Sequence, residues 1–73
     1  MVEHQKFERR LTLVAERVGG LAKMAKEIGV HPNTLYRVKH AGGYPSAEVL
    51  IAIAEKHHVD LNWLLGVSDE EMG

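Results

Sequence analysis

The residue types suited to recognition chemistry gather on one short stretch. Asn33 and Arg37 bring a carboxamide and a guanidinium to residues 32–40, side-chain types able to pair bidentately with base edges, Asn with N6 and N7 of adenine and Arg with O6 and N7 of guanine. Each such pair discriminates against a wrong base by about 1–3 kcal/mol. Thr34 and Tyr36 stand beside them. Covalent catalysis finds no comparable set. No serine or histidine has a partner at triad-like positions, and the single Gly-x-x-x-x-Gly-like echo lacks both a following Lys-Ser/Thr and a preceding strand, so the chain reads as a non-enzyme. The five histidines raise a metal site, but His57 and His58 are adjacent and cannot share one helical face, and no Asp, Glu or Cys stands at ligand spacing. No metal and no cofactor is expected. His31 and His40 flank the stretch, so protonating them adds positive charge beside a bound polyanion, which predicts tighter binding near pH 6 than near pH 8.

A helix must carry these side chains, and the sequence supplies one. The breakers Gly19-Gly20, Gly29, Pro32, Gly42-Gly43, Pro45 and Gly66 divide the chain into five segments, each with helical periodicity. In the first, Phe7, Leu11, Val14 and Val18 repeat at i, i+4, i+7 and i+11, which predicts an amphipathic helix running to Gly19-Gly20. The second spans Leu21–Ile28, with Leu21, Met24, Ala25 and Ile28 on one face and Gly29 at the position of a left-handed C-terminal cap. The third opens after Val30, since Pro32 suits the first helical position, and Leu35 and Val38 form its inner stripe. Ser46 caps the fourth, where Val49, Leu50, Ile53 and Ala54 follow at core spacing, and Asp60 caps a last turn over Leu61–Leu65 that Gly66 ends. Residues 1–4 and 67–73 are expected to fray. The second and third helices are joined by a short glycine-containing turn, and the small Ala25 lets them cross closely.

The 73 residues make one domain, residues 1–73, which at this size buries only about 60% of the surface its unfolded chain exposes. A deep enzymatic cleft does not fit in it. With no cysteine to form disulfides or thiolate zinc sites, the 45% hydrophobic content has to build the core. No apolar run approaches the roughly 18 residues of a membrane span, and the N-terminus is not a signal sequence, so a cytoplasmic protein without membrane or small-molecule partners is expected. The net charge of −1 hides a polar distribution. Residues 19–45 carry Lys23, Lys26, Arg37 and Lys39 against Glu27, whereas residues 46–73 carry Lys56 against Glu48, Glu55, Asp60, Asp69, Glu70 and Glu71. The middle is basic and the tail acidic.

The stretch from Leu21 to His40 resembles the helix-turn-helix of the Xre family, the lambda-repressor-like DNA-binding domains of phage and bacterial regulators. The likeness extends through Gly42-Gly43-Tyr44-Pro45-Ser46-Ala47-Glu48-Val49-Leu50-Ile51-Ala52-Ile53-Ala54, similar to the family's Pro-Ser-x-x-x-Leu-x-x-Ile-Ala segment. It closes on Val59-Asp60-Leu61-Asn62-Trp63-Leu64-Leu65-Gly66, whose Asn-Trp-Leu-Leu-Gly ending resembles phage repressors in particular. It thus covers roughly residues 5–66.

The resemblance implies an all-α, compact five-helix domain with a central helix-turn-helix, binding double-stranded DNA as a transcriptional regulator. It assigns base contact to Pro32, Asn33, Thr34, Tyr36 and Arg37, with Pro32, where relatives often carry a polar side chain, limited to apolar contact such as a thymine methyl. Phosphate contact falls to Gly20, Lys23, Lys26, Lys39, His40, Gly43 and Tyr44. Leu21 stands where relatives commonly have a polar phosphate ligand, which shifts that role to backbone amides and the two lysines. About four such contacts imply a moderate salt dependence.

Specificity requires a homodimer on a near-palindromic operator, with half-sites about 34–36 Å apart. The apolar residues Val59, Leu61, Trp63, Leu65 and Val67 are the expected dimer patch, because they lie late in the chain and away from the basic segment; Trp63 is also expected to pack partly into the core. A phage or prophage repressor acting by occlusion of polymerase is the resulting expectation, either as a stand-alone regulator or as the N-terminal domain of a longer protein. The competing reading is a protein-interaction or antitoxin-like module docking through the acidic C-terminal segment.

Overall fold

The five periodic segments become five helices in the computed structural model, which describes residues 4–69. They are α1 (His4–Glu16), α2 (Leu21–Ile28), α3 (Pro32–His40), α4 (Ala47–His57) and α5 (Leu61–Leu65). Among the described residues all regular structure is helical, in accord with the all-α reading. Ser46 and Asp60 cap α4 and α5 as expected, their side chains accepting from the Val49 amide and from the Asn62 and Trp63 amides. Each satisfies donors that would otherwise face water or the core unpaired.

Helix α1 departs from its sequence pattern. The apolar stripe continues to Val18, yet the helix stops at Glu16. The amides of Arg17 and Val18 bond three residues back, to Val14 and Ala15, and Gly19 and Gly20 at φ 105° and 119° then turn the chain. Val18 still packs against the core, from a turn instead of from the helix. Apolar spacing reports which residues are buried; the glycine pair reports where the backbone can reverse.

At the end of α2, Gly29 (φ 78°) sends its amide to Lys26 and Val30 sends its amide to Ala25. This six-to-one and five-to-two pairing ends the helix and launches α3 across it. The crossing is close because Ala25 is fully buried at it, as is Met24 one residue earlier. Leu35 and Val38 close the same seam from α3. Phe7, Leu11 and Val14 of α1, Ile53 of α4 and Leu64 of α5 complete one core. α1 lies against α2 and α5, while α4 bridges α2 and α5, so α2 packs on α1, α3 and α4, and α3 is held chiefly by α2.

Candidate nucleic-acid interface

Helix α3 is anchored at its start and along one side. His31 is its N-cap, in extended backbone, and its ring Nδ1 accepts a hydrogen bond from the Asn33 amide at 3.1 Å. Pro32 occupies the first turn without needing a partner for an amide. With Leu35 and Val38 buried, helical geometry turns the opposite face outward: Asn33, Tyr36, Arg37 and His40 are exposed there, and Pro32 and Thr34 are half-buried at its edges. Neither the Asn33 nor the Arg37 side chain is spent on an ion pair or hydrogen bond among the described residues. Tyr36 and His40 lie one turn apart with ring centroids 6.5 Å apart, forming a small aromatic ridge beside Arg37.

The expected phosphate ligands separate into groups. At the start of α2, Gly20 provides no side-chain cap, which leaves the first amides of that helix without a side-chain partner. Lys23 folds back over Gly19, its Cδ 3.1 Å and its Nζ 3.9 Å from the point a Cβ there would occupy. An ammonium is thereby brought to the positive end of a helix dipole, an arrangement that favours an anion between them. Lys26 is exposed farther along the same helix.

Beyond α3, the loop bearing Gly43 and Tyr44 is tied to α1. The His4 Nε2–H donates to the Gly43 carbonyl at 3.0 Å, Tyr44 stacks on Phe7 at 4.9 Å, and His4 meets Tyr44 edge-on at 5.0 Å. Tyr44 remains 46% exposed. Lys39 lies elsewhere. It lines an open groove with Gln5, Glu8, Thr12 and Trp63, on the α1 flank of α3, and so stands off the face that carries Asn33 and Arg37.

The late apolar residues are used mostly in the chain's own core. Val59 and Trp63 are core residues, 6% and 8% exposed, and Leu61 and Leu65 are half-buried against the same core; Val67 alone of the five is exposed. A dimer patch assembled from all five is therefore not available on this surface. The segment after α5 also differs from the expected fraying. Arg10 stacks its guanidinium 4.9 Å from the centre of the Trp63 ring and donates to the Trp63 carbonyl, to the Ser68 carbonyl at 2.8 Å and to Asp69 at 2.9 Å. Lys6 reaches the same Asp69 oxygen at 3.1 Å. The hydrogen bond from Lys6, then that from Arg10, hold the Asp69 carboxyl below its ordinary value. His4 likewise already belongs to α1, while residues 1–3 and 70–73 of the expected frayed ends lie outside the described residues.

Three residues that position this surface were not visible in the sequence pattern. His4 and Arg10 act on partners 39 and more than 50 residues away, and no local signal announces them. His31 did have a signal, its place directly before a proline that opens a helix, but imidazole is not among the usual capping side chains.

Among the described residues no group of three His, Asp or Glu is placed to hold a metal ion, and no helix is long and apolar enough to cross a membrane. Comparison with known proteins adds one finding: a family model described as helix-turn-helix matches residues 20–64, from the start of α2 into α5. No curated protein and no solved structure matches the chain.

Proposed function

From the premise that the chain belongs to the Xre and lambda-repressor-like helix-turn-helix family of DNA-binding transcription regulators, we propose that it represses transcription from an operator read in the major groove by α3. The observation that carries this reading is the pairing of two unspent side chains, Asn33 and Arg37, on the outer face of a helix whose inner face and first turn are both anchored. A helix already ordered spares the backbone's ordering cost when its side chains meet base edges, leaving only the rotamer freedom of Asn33 and Arg37 to be lost. Thr34 and Tyr36 border the contact, and Pro32 meets it with an apolar ring.

Affinity independent of sequence comes from phosphates. The uncapped amides after Gly20, with Lys23 beside them and Lys26 beyond, contact one strand, and His40 with the pinned Gly43–Tyr44 loop contacts the other side of the groove. Lys39, on the α1 flank, contributes long-range attraction more than a direct contact. One α3 reads only a few base pairs, so the operator is near-palindromic and two copies bind it. The dimer contact draws on Val67 and the exposed edges of Leu61 and Leu65. Occlusion of polymerase by the bound pair is the proposed mechanism, and a phage or prophage setting fits the Asn-Trp-Leu-Leu-Gly ending.

Selection of bound duplexes from a random pool tests the whole reading, since it reports site, symmetry and spacing together. The expected result is a two-fold repeated site whose affinity falls with salt. Recovery of no enriched sequence, or affinity indifferent to both salt and the double substitution Asn33→Ala, Arg37→Ala, would reject it. The rival reading, docking through the acidic tail, has less to work with, because Asp69 is already committed to Lys6 and Arg10.

A further inference from the structure

His31 is an exposed residue at the start of α3, and a hydrogen bond fixes which tautomer its neutral ring adopts. Because Nδ1 accepts the Asn33 amide hydrogen at 3.1 Å, the neutral imidazole must carry its proton on Nε2. The two nitrogens lie on different edges of the ring, so a cap made through one leaves the other directed away from the helix. The exposed ring thus presents a donor of fixed identity, with no partner for it among the described residues. It sits immediately before Pro32 and Asn33 at the start of α3, and about half to two-thirds of protein–DNA hydrogen bonds go to phosphate and sugar oxygens.

We propose that His31 binds a backbone phosphate through Nε2–H while its Nδ1 caps the recognition helix, coupling the depth of α3 in the groove to the position of Asn33. This rests on the reading of α3 as the major-groove helix. Its consequence is that a phosphate contact and a base contact are joined through a single hydrogen bond: the imidazole is held by the very residue whose side chain reads the base. Such a contact sets register and carries no sequence information of its own.

Two substitutions separate the two nitrogens. His31→Asn keeps an acceptor at the position of Nδ1, and asparagine is a favoured cap, but it has nothing at the position of Nε2. His31→Gln keeps a donor near Nε2 and loses the cap. For the full chain with a duplex recovered from the random pool, His31→Asn is expected to melt at the wild-type temperature and bind about fivefold more weakly, as one lost hydrogen bond implies. A scrambled duplex should also lose affinity, since phosphates are common to both, but by less, because only on the selected site does the contact also set the register of Asn33. His31→Gln is expected to melt lower and to bind, when folded, more tightly than His31→Asn. In the wild-type protein, ring nitrogen NMR should report Nε2 protonated and Nδ1 bare, with the Nε2 resonance moving on addition of duplex.

Unchanged affinity in His31→Asn, or an Nε2 resonance that stays in place while those of Asn33 and Arg37 move, overturns the proposal and leaves the α3 reading intact. If Asn33→Ala and Arg37→Ala also bind like wild type, the α3 reading falls and this proposal with it.

Discussion

The seam between α1 and α5 and the crossing of α2 with α3 are built from different materials. At the first, Arg10 alone stacks on an indole and donates to two carbonyls and a carboxylate, with Lys6 on the same carboxylate. At the second, no side chain of one helix is hydrogen-bonded or ion-paired to a side chain of the other among the described residues. Met24, Ala25, Leu35 and Val38 hold it by apolar contact, with the turn at Gly29. At the α1–α5 seam Lys6 and Arg10 spend their charges on Asp69, whereas Asn33 and Arg37 on α3 have no side-chain partner among the described residues. Stability and affinity should therefore be separable by position, even in a domain this small.

The strongest test of that separation strikes the apolar crossing itself. Leu35→Ala removes a fully buried side chain and should cost about 2–5 kcal/mol, enough to unfold much of the population and abolish binding with it. A denaturant melt that moves by less than about 1 kcal/mol would mean that something other than packing holds α3. Next in size, Arg10→Ala should lower stability by about 2–3 kcal/mol through lost charged hydrogen bonds and the lost cation–ring contact. Trp63 fluorescence would follow the melt, and the folded fraction should bind DNA within about twofold of wild type. A large affinity loss at intact stability would erase the contrast between the two regions.

Arg37→Ala is the mirror case. It should leave the melting temperature in place and weaken binding to a selected duplex by about 1–3 kcal/mol, with relaxed preference at one base position. A smaller gain is expected from His58→Gly. His58 ends α4 in the left-handed region at φ 55°, so glycine there should add about 1 kcal/mol of stability and leave DNA affinity alone.

The smallest effect belongs to Asp69→Asn. The carboxyl is held below its ordinary value near 3.8 by Lys6 and then Arg10, so it contributes stability that is present above that value. The contribution is lost as pH falls through the lower folded-state value. Wild type should exceed the variant slightly at neutral pH, the gap should stay constant down to mild acid, and the two should converge in strong acid. A gap that widens in acid would place the stabilising charge elsewhere.

How much of this was legible depends on range. The bounds of α2 and α5, the proline opening of α3, the caps Ser46 and Asp60, and the left-handed glycines Gly29 and Gly66 all follow from signals within a few residues. The outward placement of Asn33 and Arg37 follows from Leu35 and Val38 by helical geometry alone. Trp63 packs in the core as its sequence reading has it, whereas Val59, placed in the expected dimer patch, is core as well, because apolar residues late in a chain look the same whether they line its own core or a partner's. Lys39 shares the basic segment with Arg37 but not its face, a difference that depends on which side α1 covers.

What the sequence by itself determined is the set of helices, the side of each that is buried and membership in a helix-turn-helix family, since periodicity, caps and glycine turns are local properties of a chain. Only the tertiary structure decided that Arg10 would staple the segment after α5, that His4 and Phe7 would pin the Gly43–Tyr44 loop, and that Lys39 would stand off the face of Asn33 and Arg37. Those pairings depend on crossing angles between helices, which are set by how whole side chains interlock in the core and not by any residue and its neighbours.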